Sequence, residues 1–235
     1  ASNVPRLDYS DGGCPSLLLE ANATNLVTYS EDFSNASWVK SGASAVGGQA
    51  SPSADSPLGA FKLVEDTSNG LHRIASETVS ATSGIDYSVS VYAKYEGRPI
   101  QIFTGASAGN LRANFDLQNG VVGSKTSSAT SNLESLKNGW YRCSISFTAA
   151  STGVMDFSVI TIETLTSTIA VGHQGDGTSG VYLFGAQLEQ NSYSTSYIKT
   201  VGTAQTRVAD TANGSGSSTV INSSEGVLYF EGSAL

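Results

Sequence analysis

From about residue 60 to residue 190 the chain is written in short runs where apolar and polar positions alternate, the period of a half-buried strand. The run 87–95 is the clearest. Tyr87, Val89, Val91, Ala93 and Tyr95 fall on one face, and Ser88, Ser90, Tyr92 and Lys94 on the other. Leu111, Ala113, Phe115 and Leu117 oppose Arg112, Asn114 and Asp116, and Ile100 and Ile102 oppose Gln101 and Phe103. Further strands are predicted over 61–64, 72–79, 141–147 and 155–162. Turn signals stand between them at Asn69-Gly70, Ser83-Gly84 and Asn119-Gly120. The stretch Gly180–Glu189 is apolar on both faces, the mark of a strand covered on both sides. The Ser/Thr/Tyr run 190–200 after it reads as a polar segment leading out of the fold. No segment holds a helical period for three turns, and a short turn of helix over 33–39 is the one candidate. Many short strands with regular turns predict an all-β sandwich.

Composition agrees. Only 14% of residues are charged while Gly numbers 25, which suits short strands and many turns, and 39% hydrophobic residues suffice for a core. The net charge of −8 speaks against nucleic acid, which needs clustered Lys and Arg, and is read as serving solubility. No apolar run approaches the ~18 residues of a membrane span. The N-terminal A-S-N-V-P-R-L-D-Y has neither the basic start nor the apolar middle of a signal peptide. Three regions separate: an arm over 1–25, a strand-rich domain over 26–200, and a Ser/Gly/Asn linker with a terminal strand over 201–235. The last strand predicts a chain cut from something longer, and it resembles the opening of a laminin-G-like or concanavalin-like domain.

Phrases in order along the chain resemble one domain type of tailed-phage tail and tail-fibre proteins. They are P-R-L-D-Y with L-L-L-E, Y-S-E-D-F-S-N-A-S-W-V-K, H-R-I-A-S-E-T-V-S-A-T-S-G-I-D-Y-S-V-S-V-Y-A-K, F-D-L-Q-N-G-V-V-G, N-G-W-Y-R-C-S-I-S-F-T-A and G-V-Y-L-F-G-A-Q-L-E. The chain departs from that type at Ala21-Asn22-Ala23 and at Phe184, where a Trp is frequent. The resemblance implies a jelly-roll β-sandwich like a carbohydrate-binding module, within a virion particle assembled in the host cytoplasm. Its partners would be a polysaccharide or cell-surface glycan and other virion subunits, a homo-oligomer among them. The other roles it leaves open are a structural spacer without sugar ligand and an accessory domain beside a polysaccharide depolymerase.

If apolar faces turn inward, Tyr92, Lys94, Gln101, Phe103, Arg112, Asn114, Trp140 and Arg142 look outward. Rings that cover sugar C–H faces, flanked by amide and guanidinium donors for the hydroxyls, make these the candidate ligand-binding residues. The competing reading packs the same face against another subunit. The resemblance also implies a structural Ca²⁺, with Glu31, Asp32, Gln187 and Glu189 as its oxygen donors. Enzyme signals are thin. His72 reads as a strand-face residue and His173, with Asp176, as part of a solvated Gly-rich loop. Glu31-Asp32 and Glu65-Asp66 are adjacent pairs beside turns rather than converging carboxylates. Cys143 falls on the inward face of its strand, with a bridge to Cys14 as the alternative. Trp38 suits the core or the rim, and the N-x-S/T sites at Asn22, Asn35, Asn213 and Asn222 carry no glycan message in a phage setting.

Overall fold

The computed structural model describes residues 7, 8 and 16–210; Cys14 and the segment 211–235 lie outside the described residues. Two compact units separate, one of them residues 23–206. In the other, Leu7–Asp8 pairs antiparallel with Ser16–Leu17. There Glu20 and Asp210 exchange two hydrogen bonds, and Arg207 Nη1 stands 3.1 Å from the Glu20 carboxylate.

The larger unit is a jelly-roll β-sandwich. Its principal strands are β1 (Val39–Ser41), β2 (Ala43–Gln49), β3 (Ala60–Glu65), β4 (Arg73–Ala75), β5 (Asp86–Glu96) and β6 (Ile100–Thr104). They continue with β7 (Leu111–Asp116), β8 (Val121–Lys125), β9 (Thr130–Ser135), β10 (Trp140–Thr148), β11 (Phe157–Thr161) and β12 (Gly180–Glu189). Two six-stranded sheets result, sheet 1 in the order β9-β10-β5-β12-β3-β2 and sheet 2 in the order β8-β7-β6-β11-β4-β1. Every pairing within them is antiparallel. The alternation seen in the sequence sets the inward faces. Val89, Val91, Ala93, Cys143 and Ile145 of sheet 1 and Ile100, Ile102, Ala113, Phe115 and Val159 of sheet 2 are buried in one core. Each large apolar side chain so buried contributes roughly 1.5–3 kcal/mol relative to exposure. Cys143 is a free thiol in that core, and burial pushes its pKa up.

Three local expectations change. Residues 33–39 form two successive turns, closed by Asn35 N–H to Asp32 O and Trp38 N–H to Asn35 O, because Asp32 and Asn35 side chains accept amides two residues on and compete with helix. They carry Trp38 into the core, edge-on to Phe157 at 5.7 Å. The single strand expected over 72–79 divides into β4 and a short strand Val79–Ala81 that pairs with Gly153–Met155. Finally, β12 contains a bulge: Ser90 pairs with Gln187 but Tyr92 with Phe184, so Val91 faces two residues, Gly185 and Ala186. Gly185 takes φ 58°, and a β-carbon there would sit 2.9 Å from the Tyr92 ring. Before the bulge Val181 and Leu183 point inward; after it Ala186 and Leu188 do.

Candidate binding face

The residues expected to form one site lie on opposite sides of the sandwich. Tyr92, Lys94, Trp140 and Arg142 belong to β5 and β10 of sheet 1, whereas Gln101, Phe103, Arg112 and Asn114 belong to β6 and β7 of sheet 2. Two sheets packed face to face, ~10 Å apart, turn these sets away from each other, so no single ligand meets both.

The outer face of sheet 1 is closed by the chain itself. Residues 190–200 do not lead out of the fold but return across it, and Thr195, Ile198 and Thr200 are buried. Gln187 and Glu189, turned outward by the bulge, hold this strap. Ile198 N–H donates to Gln187 Oε1 at 2.7 Å, and Thr195 donates its amide and hydroxyl to Glu189 at 2.9 and 2.5 Å. Asn25 donates to Ile198 O at 2.8 Å and the Ser30 and Tyr197 hydroxyls meet at 2.7 Å. Arg142 spends one nitrogen on Thr195 O at 2.6 Å and Ser90 Oγ at 3.0 Å, with its guanidinium 5.5 Å from the Tyr92 ring centre. Tyr92, Phe184 and Tyr197 pack ring to ring at 5.8–6.0 Å, and burial pushes the Tyr92 and Tyr197 hydroxyl pKa values up. Trp140, expected outside, is 3% exposed in this aromatic cluster. Lys94 is half-buried, in register with Trp140 and Tyr182.

The four oxygen donors proposed for an ion are already engaged. Glu189 is taken by Gln187 and Thr195, and Glu31 by Lys199 Nζ at 2.6 Å and the Tyr197 hydroxyl at 3.2 Å. Asp32 caps the Ser34 turn. Glu31, Asp32 and Glu189 do not gather into one group, and among the described residues no cluster of three or more His, Cys, Asp or Glu does. The donor set does not form a calcium cage, because Glu31, Asp32 and Glu189 are engaged separately by Lys199, Ser34 and Thr195 and do not converge.

Sheet 2 presents a different outer face. Register places Arg112, Phe103, Ser158, Ala75 and Val39 side by side across β7, β6, β11, β4 and β1. The next row is Asn114, Gln101, Ile160, Arg73 and Ser41. Gln101 and Asn114, expected to be outward donors for a ligand, are fully buried beneath the loop 163–170. Asn114 donates to Leu165 O and Ser167 O, while Gln101 bonds Asn114, Thr168 O and Ala170 N–H. These amides build the wall of the face rather than its floor. Phe103 and Arg112 are half-buried, and Val39 and Ser41 are exposed. Arg112 uses Nη1 on Ser124 O and Oγ at 3.0 and 3.1 Å. Among the described residues the Arg73 side chain has no hydrogen-bond or ion-pair partner, and its Nε is buried without one, as is Ser158 Oγ. Sequence reasoning passed over Arg73, Ser158, Val39 and Ser41. The signal for Arg73 was present in R-I-A, where Ile74 must point inward and its neighbours outward.

At the end of β3 a polar node is buried that the sequence does not announce. Glu65, 1% exposed, accepts Arg98 Nε and Nη2 at 3.0 and 2.7 Å, His173 Nε2 at 2.9 Å and the Asp176 amide at 3.0 Å. Burial alone would raise this carboxyl; the hydrogen bonds from Arg98, His173 and Asp176 outweigh it and hold its pKa below the ordinary value. His173 is therefore not in a solvated loop, and His72 is fully buried against it, rings 4.6 Å apart and its nitrogens facing Gly42 O and His173 O. Asp176 turns away from His173 to cap Thr178 and Ser179. The node ties β3 to the loop 173–179.

No family model matches the chain, and no curated protein matches its sequence. Solved structures with a similar course of the chain include the CBM22-1–GH10 modules of the Clostridium thermocellum endo-1,4-β-D-xylanase 10B complexed with xylohexaose. That likeness has TM-score 0.42 and 11% identity, covering 77% of this chain and 30% of that one, so this chain spans under a third of its length. A second is a carbohydrate-binding module described for specific mannan recognition, at TM-score 0.33 and 10% identity, covering 74% and 98% of the two chains.

Proposed function

We propose that the sandwich is a non-catalytic glycan-binding module that receives its polysaccharide across the outer face of sheet 2. The observation that carries this reading is Arg73, a guanidinium with no partner among the described residues, one row away from the half-buried Phe103 ring. Arg73 is half-buried, so the rest of its guanidinium is open to a ligand's oxygens. Phe103 would cover the apolar face of one sugar and Val39 would extend the apolar stripe. Arg73 and the free nitrogens of Arg112 would take oxygens on either side. The loop 163–170 bounds the face along Gln101 and Asn114. Such a site is shallow and weak in a single copy, and several copies on one particle would add avidity.

A glycan array followed by calorimetry tests this, with Phe103→Ala and Arg112→Ala against Tyr92→Ala, whose ring lies on the opposite sheet. Binding lost in the first two and kept in the third supports the reading. No ligand on the array, or equal affinity in all three, leaves a spacer without sugar ligand. The setting in a phage tail or tail fibre, with host-surface attachment among other virion subunits, rests on the ordered sequence phrases. Peptide mass spectrometry of purified particles tests it, and the neighbouring reading frames separate attachment from service to a depolymerase.

A further inference from the structure

Four cations among the described residues are paired with carboxylates, whereas Lys40 and Arg142 bond carbonyl and hydroxyl oxygens instead. Arg98 meets Glu65, Lys62 meets Glu96, Lys199 meets Glu31 and Arg207 meets Glu20. In a chain with 12 Lys and Arg against 20 Asp and Glu, acids are plentiful enough to neutralise every one. Both guanidiniums on the outer face of sheet 2 are without a carboxylate partner among the described residues. The Arg73 side chain has no partner there, and Arg112 bonds only Ser124, through one of its three guanidinium nitrogens. The acids on the same face stand aside. Asp116 spends both oxygens on the turn at Gln118 and Asn119. Asp156 lies two residues before Ser158 on β11's outward phase, beside Gly105, and so across the Phe103–Ser158 row from Arg73.

Resting on the glycan-binding reading, we infer that the ligand is an acidic polysaccharide whose sugars bear carboxylates, with one carboxylate held by Arg73. The planar fork of a guanidinium matches a carboxylate with two parallel hydrogen bonds, and the partly buried Arg73 head gives that pair more strength than a surface pair has. Arg112 and Arg73 are three strands and one two-residue step apart, about 16 Å between their α-carbons from strand spacing and rise. A second carboxylate further along an extended polymer meets Arg112 there. The net charge of −8 works against a polyanion at long range. Affinity therefore comes from these two local forks and not from the field of the protein.

The test uses the whole chain with hyaluronan, polygalacturonate and alginate, each beside its carboxyl-reduced form, measured by calorimetry and affinity electrophoresis. The expected result is binding to at least one acidic polymer that weakens by about tenfold or more on carboxyl reduction, the scale of one charge-assisted fork. Arg73→Gln weakens it similarly, while Lys137→Gln, an exposed charge on a turn of the other sheet, leaves it unchanged. Equal binding of the acidic and reduced polymers, lost in Phe103→Ala, overturns the acidic ligand and leaves glycan binding standing. No binding to any acidic, reduced or array glycan overturns both. The carboxyl-reduction arm needs no variant, so it decides even if Arg73→Gln is poorly folded.

Discussion

The two outer faces of this sandwich begin alike and end differently. Each carries hydroxyls, amides and one or more guanidiniums on the outward phase of alternating strands. On sheet 1 the outward Ser90, Gln187, Glu189 and Arg142 are consumed by the strap 190–200, and the rings of Tyr92, Phe184 and Tyr197 close over the rest. On sheet 2 the loop 163–170 consumes Gln101 and Asn114, and Ser158, Ile160 and Ala75 are buried too, which leaves Phe103, Arg112 and Arg73 half-buried. Outward phase therefore does not define a binding face. What defines it is a donor left both unspent and uncovered, since Arg142 Nε under the strap is unspent too.

The largest expected effect is on the closed face. Gln187→Ala removes the amide that bonds Glu189, Thr195 O and Ile198 N–H, leaving buried partners unpaired. It should cost about 2–3 kcal/mol in urea denaturation. Faster exchange of the Ile198 amide should accompany it, with glycan affinity unchanged. If affinity falls as well, the two faces are not independent. Next is the open face: Phe103→Ala should weaken glycan binding about tenfold or more, near 1.4 kcal/mol, with a smaller loss of stability because the ring is already half-exposed. An equal loss in Tyr92→Ala would move the site to sheet 1.

The third prediction concerns pH. Glu65 has a folded pKa below its ordinary value of 4.5, so its contribution is fully present above that value. It is lost as pH falls through the folded pKa. Melting temperature should drop in that acid window, and Glu65→Gln should be less stable at neutral pH but flatter with pH. A variant with the same acid slope as the parent assigns the slope to other carboxylates. The smallest effect comes from two hydroxyls buried without partners, Ser88 on sheet 1 and Ser158 on sheet 2. Ser→Ala at each should be neutral or stabilising by up to about 1 kcal/mol in thermal melts. A clear loss at Ser158 would reveal a bonded hydroxyl and weaken the case for sheet 2.

Much of the architecture was legible in the chain. The inward phase over 87–95 and the doubly apolar 180–189 are direct prints of one-sided and two-sided burial, and β5 and β12 lie where that pattern puts them. Cys143 was placed in the core for the same reason. The site was less legible because period-two alternation is silent on which strands share a sheet. It joined residues of β5 and β10 to those of β6 and β7, which face opposite ways. Nor does local sequence say what will lie over a strand. The hydroxyl-rich run 190–200 reads as solvated, yet its alcohols and amides suit the burial of Gln187 and Glu189, partners that are spatial neighbours only after folding. Glu65 and His173, 108 residues apart, share the same silence.

The bulge at Gly185 has a consequence for how this fold tolerates change. One supernumerary residue exchanges the roles of odd and even positions in β12, so its two halves answer to opposite rules of substitution. Methyl-bearing side chains suit odd numbers in the first half and even numbers in the second. Were that bulge to straighten with every residue kept, Gln187 and Glu189 would swing into the hydrocarbon interior and Leu188 into the strap, whereas deleting Gly185 would leave both halves in phase.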